Sequence, residues 1–279
     1  MTNPDLNHHA RQIREEALRM IHHSTGGHPG GALSIADILA VLYFSELRID
    51  PRDPGCSDRD RLILSKGHAC AALYAALGLR GYFDCVEFSR FRRLDGLLQG
   101  HPSVSIPGID APSGSLGMGL SQGLGMAMAG RCLGKDFHTW VILGDGDMQE
   151  GSTWEAIMAA GHHKMASLSA ILDANGLQAD GRVCHIMEYG PARKKVEAFG
   201  WNVIEADGHD CDTLAGACGA ARDCRDKPTL IVARTVKGKG VSFMENQPMW
   251  HGTAKISEDE LRLAFSEIGH ASGALDSPI

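Results

Sequence analysis

Residues 139–158 read TWVILGDGDMQEGSTWEAIM. Thr139 to Leu143 form a short, mostly apolar run that ends in Gly144-Asp145-Gly146. A helical pattern, STWEAIMAAGHH, begins at Ser152. A strand that turns sharply into a helix is half of a βαβ unit. The alternation continues downstream. LSAILD (168–173), NVIEA (202–206) and TLIVART (229–235) read as strands. ARKKVEAFG (192–200) and CDTLAGACGAARD (211–223) read as the helices between them. Strands and helices in this rhythm predict an α/β fold with a parallel sheet. The strands are nearly continuous apolar runs, which predicts helices on both faces.

The upstream half fits the same frame. Leu6, Ala10, Ile13, Ala17, Met20 and Ile21 mark one apolar helix face. STGGHPGG (24–31) is expected to stop any helix, and Ser34 with Asp37 to cap the next one, SIADILAVLYFSEL. RLILS (61–65) is short and apolar, and KGHACAALYAALGL (66–79) resumes helix. Residues 95–125 are crowded with Gly, Ser and Pro, too long for an ordinary connection, and are expected to be functional. SEDELRLAFSEIG (257–269) predicts a last helix. No internal repeat interrupts the pattern, and a single domain over 1–279 is expected.

Bulk properties narrow the function. The chain has 279 residues and a formal net charge of −7, which argues against non-specific binding to nucleic acid or an anionic membrane. No apolar run is long enough to span a bilayer, and the N-terminus lacks a signal pattern, so a cytoplasmic location is expected. Eight scattered cysteines show neither Cys-x-x-Cys nor zinc spacing and read as free thiols.

In open parallel sheets, ligands bind beyond the carboxyl ends of the strands. Two such ends are polar here: Gly144-Asp145-Gly146 and Asp173-Ala174-Asn175-Gly176. About one strand-helix-strand unit separates them, so both tips are expected at one edge. Asp145 and Asn175 offer the hard oxygens that Mg²⁺ prefers, and glycines let backbone amides approach phosphates. Together they point to a Mg²⁺–diphosphate site, although Gly-Asp-Gly alone reads as a tight turn. Four of the 14 histidines, His28, His68, His101 and His251, lie in Gly/Pro-rich loops. Each alone is as readily a turn or core residue, but four in like settings argue for a shared site. Lys237 and Lys239 read equally as phosphate contacts or as a solvated loop.

With these residues assembled, the chain resembles the diphosphate-binding, N-terminal part of transketolase, a thiamine diphosphate enzyme. The matching segments are TGGHPGG (25–31), DRLILSKGHA (60–69), GHP (100–102), GSLGMGLSQGLGMA (114–127), GDGDMQEGSTWEA (144–156), LDANGLQADG (172–181), GHD (208–210) and KGKGVSFMENQPMWHG (237–252). They run in the family's order along nearly the whole chain. The resemblance implies Asp145, Asn175 and the Leu177 carbonyl as Mg²⁺ ligands. It implies His68, Gly114, Leu116, Gly146 and His251 as cofactor contacts, and His28, His68, His101 and His251 as the catalytic histidines. Glu150, Glu155 and Asp173 match acids near the cofactor or a subunit interface. Met118 stands where glutamine is common, and Ala174 where a second acid is common.

The resemblance also implies an activity: transfer of a two-carbon glycolaldehyde unit from a ketose phosphate to an aldose. The family's complete chains continue into a second thiamine-binding domain and a C-terminal domain, and the second domain supplies an essential glutamate. No stretch here matches it, so a partner subunit carrying those domains is expected, in an α2β2 assembly. Three other readings stay beside this one: a deoxyxylulose-phosphate synthase-like subunit, a 2-oxoacid dehydrogenase-like subunit, and a non-catalytic homologue. The intact GHPG, GHP and WHG set favours transketolase.

Overall fold

The computed structural model describes residues 4–179 and 181–269. Its helices are α1 (Pro4–His23), α2 (Pro29–Ser34), α3 (Ala36–Val41), α4 (Cys70–Arg80), α5 (Met118–Cys132), α6 (Gly151–His162), α7 (Val183–Ile186), α8 (Ala192–Ala198), α9 (Cys211–Asp223) and α10 (Glu258–Ile268). Its strands are β1 (Arg61–Leu64), β2 (Thr139–Gly144), β3 (Leu168–Ala174), β4 (Leu177–Gln178), β5 (Gly181–Arg182), β6 (Asn202–Asp207) and β7 (Thr229–Arg234). Five strands form one sheet in the order β1-β2-β3-β7-β6, parallel throughout. β4 and β5 form a small antiparallel pair beyond its carboxyl edge.

Both faces of the sheet are buried, and alternate residues of each strand enter different cores. Trp140 and Ile142 of β2 pack with α1, α3, α4 and α9. Val141 and Leu143 pack with α5, α6 and α8. This two-sided burial explains why the strands read as unbroken apolar runs.

Three local expectations are corrected. STGGHPGG ends α1 but does not stay out of helix, because Pro29 opens α2. Proline suits that first position, where its missing N–H costs nothing. Gly30 follows because a side chain there would come 2.9 Å from the Trp250 carbonyl oxygen. Ser34 and Asp37 do not cap a helix. Ser34 ends α2 and donates its hydroxyl to Asp173 (2.7 Å), while Asp37 pairs with Arg14 and with His209. Finally, the Gly-rich stretch becomes helical at Met118. Its glycines hide the apolar periodicity, yet they allow α5 to lie close against the sheet.

Gly123 and Gly125 test that account. A Cβ on Gly123 would sit 2.4 Å from Val141 Cγ2, whereas one on Gly125 meets nothing within 4 Å. Gly123→Ala should destabilise the chain by about 1–3 kcal/mol through overpacking. Gly125→Ala should stabilise it by up to about 1 kcal/mol through helix propensity. Urea denaturation measures both, and equal effects would contradict the packing of α5.

Candidate active site

The register of the sheet sets Gly144 opposite Asp173, so the tips of β2 and β3 lie side by side. At the first tip, Asp147 is fully buried. Its carboxylate accepts from Ser65 Oγ (2.6 Å), the Gly117 amide (2.8 Å) and the Gly144 amide (2.8 Å). Asp147 therefore ties the end of β1, the start of α5 and the end of β2 into one knot. Gly117 has φ +83°, and a side chain there would strike Glu150, so only glycine suits the position.

Asp145 points elsewhere. Its Oδ2 accepts from the Gly176 amide (2.8 Å), and its Oδ1 accepts from the Tyr189 hydroxyl (2.7 Å). It is 4% exposed and has no ion-pair partner among the described residues. Burial pushes its carboxyl up to about 6; the Tyr189 and Gly176 hydrogen bonds offset part of that, while the nearby Asp173 adds to it.

At the second tip, Asn175 Nδ2 donates to Asp173 Oδ2 (3.0 Å), and Asn175 Oδ1 accepts from the Leu177 amide (3.0 Å). Asp173 accepts only, so it fixes which way the Asn175 amide faces. Asp173 is wholly buried and also receives Lys66, Ser34 and Thr235. Burial opposes its charge, but Lys66 outweighs that and holds the carboxyl below its usual range.

A cavity of about 120 Å³ opens between the tips. Asp145, Gly146, Asn175, Leu177, Leu116 and His68 line it, with Lys66, Lys237 and His251. It is well below the ~300–1,000 Å³ that encloses a whole drug-sized ligand, so it suits the charged end of a longer molecule.

Three of the four loop histidines surround its mouth. Ring centroids lie 5.1 Å apart for His28–His68, 5.0 Å for His68–His251 and 5.7 Å for His28–His251. His101 is exposed and packs on Gly114, where a Cβ would come 3.0 Å from its ring. Burial pushes His28 and His251 down to about 4, reinforced by His101 and Arg92 at His28 and by Lys237 at His251. Burial and Lys66 hold His68 well below its usual value. Lys237 Nζ lies 2.8 Å from His251 Nδ1, and burial with the neighbouring Lys66 lowers Lys237 to about 8.

Among the expected site residues, Glu150, Glu155, Gly114 and His101 do not line the cavity, while His28 and Asp173 adjoin residues that do. Glu150 packs over Gly117 at the start of α6, and Glu155 is exposed on that helix. Several residues of the site went unread in the sequence. Lys66 had a signal, being the one charge in the buried run Leu62–Gly67. His209 lies in the GHD segment; it accepts from the Val236 amide (2.8 Å), contacts Asp37 (2.7 Å), and so anchors the loop that carries Lys237. Tyr189 had no signal, since an irregular loop delivers it.

The family model described as "Transketolase, thiamine diphosphate binding domain" matches residues 6–274. The chain belongs to the transketolase family. It is a transferase of that family, and its cofactor is thiamine diphosphate. It is 41% identical over 265 residues to the 6-deoxy-6-sulfo-D-fructose transketolase subunit of Clostridium sp., covering 95% of this chain and 96% of that one. It is 37% identical over 252 residues to one subunit of the apulose-4-phosphate transketolase of Phocaeicola vulgatus, covering 89% and 90%. The solved transketolase of Campylobacter jejuni superposes with a TM-score of 0.91 at 33% identity. That match covers 96% of this chain and 43% of the Campylobacter chain. These matches favour transketolase over the synthase-like and dehydrogenase-like readings.

The histidine geometry predicts a titration. The resonances of His28 and His251, followed by NMR in histidine-labelled protein, should keep their neutral form until the pH falls toward about 4. Because these folded-state values are depressed, their contribution to stability is present above about 6.5 and is lost as pH falls through about 4. Midpoints near 6.5 would contradict the burial argument.

Proposed function

We propose that this chain is the cofactor-holding subunit of a two-subunit transketolase. It transfers a glycolaldehyde unit from an anionic ketose, in the first instance a ketose phosphate, to an aldose. The observation that carries the reading is Asp145: a buried carboxylate without a cationic partner among the described residues, lining a diphosphate-sized cavity together with Asn175. Asp145, Asn175 and the Leu177 carbonyl form a hard, oxygen-only set on one wall, which fits Mg²⁺. Lys237 and the Gly146 backbone fit the anionic end of thiamine diphosphate. When bound, the cofactor supplies the carbon nucleophile and the electron sink.

The chain's own residues supply binding and proton handling. His28, His68 and His251 are neutral near pH 7, so each is free to accept a proton or to hold a sugar hydroxyl. A charged Lys237 can only donate, so His251 Nδ1 accepts and its proton resides on Nε2. His101, beside Gly114, extends the same wall outward.

A partner subunit completes the site in this reading. Two relatives carry "subunit" in their names, and the cavity is small for a whole cofactor. We infer that the partner carries the pyrimidine-binding and C-terminal domains, in an α2β2 assembly, and that residues 1–279 act as one domain in the cytoplasm. The names of those relatives specify a sulfonated and a phosphorylated sugar, which supports an anionic substrate.

Two measurements test this. Asp145→Ala should abolish the Mg²⁺-dependent part of thiamine diphosphate binding in calorimetry; unchanged binding would refute the metal set. With ketose and aldose phosphates, the chain alone should transfer little, and adding the partner should restore turnover. Full activity without a partner would refute the two-subunit reading.

A further inference from the structure

The opposite edge of the sheet carries a second cavity, of about 380 Å³. It lies among the loops that enter β2 and β3, at their amino ends. β2 has six residues, which at ~3.3 Å per residue places this cavity about 20 Å from the cofactor cleft. Its size falls in the range of small-molecule sites.

Its lining is strongly basic. Arg48, Arg131, Lys135, Lys164, Arg222 and Arg225 all face it. A chain of net charge −7 thus gathers six of its 27 lysines and arginines around one concavity. The carboxylates that oppose them are fewer. Asp60 is buried and holds both Arg48 (3.1 Å) and Arg222 (2.8 Å); Asp136 pairs with Arg48 and Asp58 with Lys135. With Glu46 beside Arg222, six cations against four carboxylates still leave a surplus of positive charge.

The arrangement is also prepared in advance. Asp60 fixes two guanidinium groups, and Arg131 is held by the carbonyl oxygens of His163 (2.9 Å) and Lys164 (3.3 Å). Fixed guanidinium forks match phosphate oxygens, and fixing them beforehand lowers the entropic cost of binding. The side chains of Lys164 and Arg225 make no hydrogen bond or ion pair among the described residues, so two cations stay available. Phe137 and Ala166 are the apolar residues of the lining, and the Phe137 ring already receives Arg61. Charge is therefore the chief feature that the cavity offers a ligand.

We propose that this cavity is a second ligand site, distinct from the cofactor cleft, that binds a small, multiply charged phosphate anion. Its occupancy is independent of the transketolase reading.

Calorimetry on the full chain in EDTA, with inorganic pyrophosphate as the probe, tests it. Without divalent metal, the Asp145–Asn175 wall has no bridge to a diphosphate. One pyrophosphate should bind with a Kd of ~1 mM or tighter, and the affinity should fall as salt is raised. Lys164→Glu with Arg225→Glu, both at exposed positions, should weaken it at least about tenfold, or ~1.4 kcal/mol. Lys237→Gln, in the cofactor cleft, should leave it unchanged. ADP forms a second arm: equal affinity identifies the diphosphate alone as the ligand, and tighter binding identifies a nucleotide. Absence of binding, equal affinity in the charge-reversed variant, or loss of binding in Lys237→Gln would each overturn the proposal.

Discussion

The pairing of Gly144 with Asp173 across β2 and β3 is the constraint on which the site depends. Side chains alternate along a strand, so a slip of one residue would exchange the two faces of β2. Trp140 and Ile142 would then enter the α5–α6 core, and Val141 and Leu143 the other. Packing on both faces forbids that exchange. The register is therefore enforced by bulk apolar burial, and it delivers Asp145 and Asn175 to one edge without any direct bond between their side chains. Asp147 secures the last step, because its three accepted hydrogen bonds decide which carboxylate of the turn points inward.

The charges around the cleft do not balance within the chain. Asp145, Asp147 and Asp173 are buried there, against buried Lys66 and Lys237. Lys66 is committed to Asp173, and Asp147 is satisfied by neutral donors. The deficit falls on Asp145, which is why burial raises its carboxyl so far. Buried charge without compensation is expensive, and a cation arriving at Asp145 would remove that cost. The instability is local, since Asp173 and its partners brace Asn175 beside it.

Strands, their two-sided burial and the meeting of Asp145 with Asn175 were legible in the sequence because apolar runs and turn glycines are local signals. So was the convergence of His28, His68 and His251, because loop histidines flanked by Gly and Pro stand out. Helix α5 was not legible: Gly119, Gly123 and Gly125 erase the periodicity on which recognition rests. Ser34 and Asp37 misled for a different reason. A capping pair and a pair of buried acceptor and donor groups look alike until Asp173, Arg14 and His209 arrive from distant segments. Tyr189 belongs to the same class, since its partner lies 44 positions away and no pattern announces the contact.

The neutrality of the histidines follows from burial, and the lysines reinforce it. Three imidazoles with centroids 5.0–5.7 Å apart cannot all be protonated beside two buried ammonium groups. Burial depresses both His68 and His251, and Lys66 adds to it at the first and Lys237 at the second. The same ammonium groups face the space where an anion would rest. One pair of lysines thus has two effects: it attracts negative charge to the floor of the cleft, and it adds to the burial that keeps the histidines at the mouth unprotonated. Removing either lysine would disturb both. Binding and proton handling in this site are therefore coupled through the lysines, although the histidines and the anion-facing wall come from different loops.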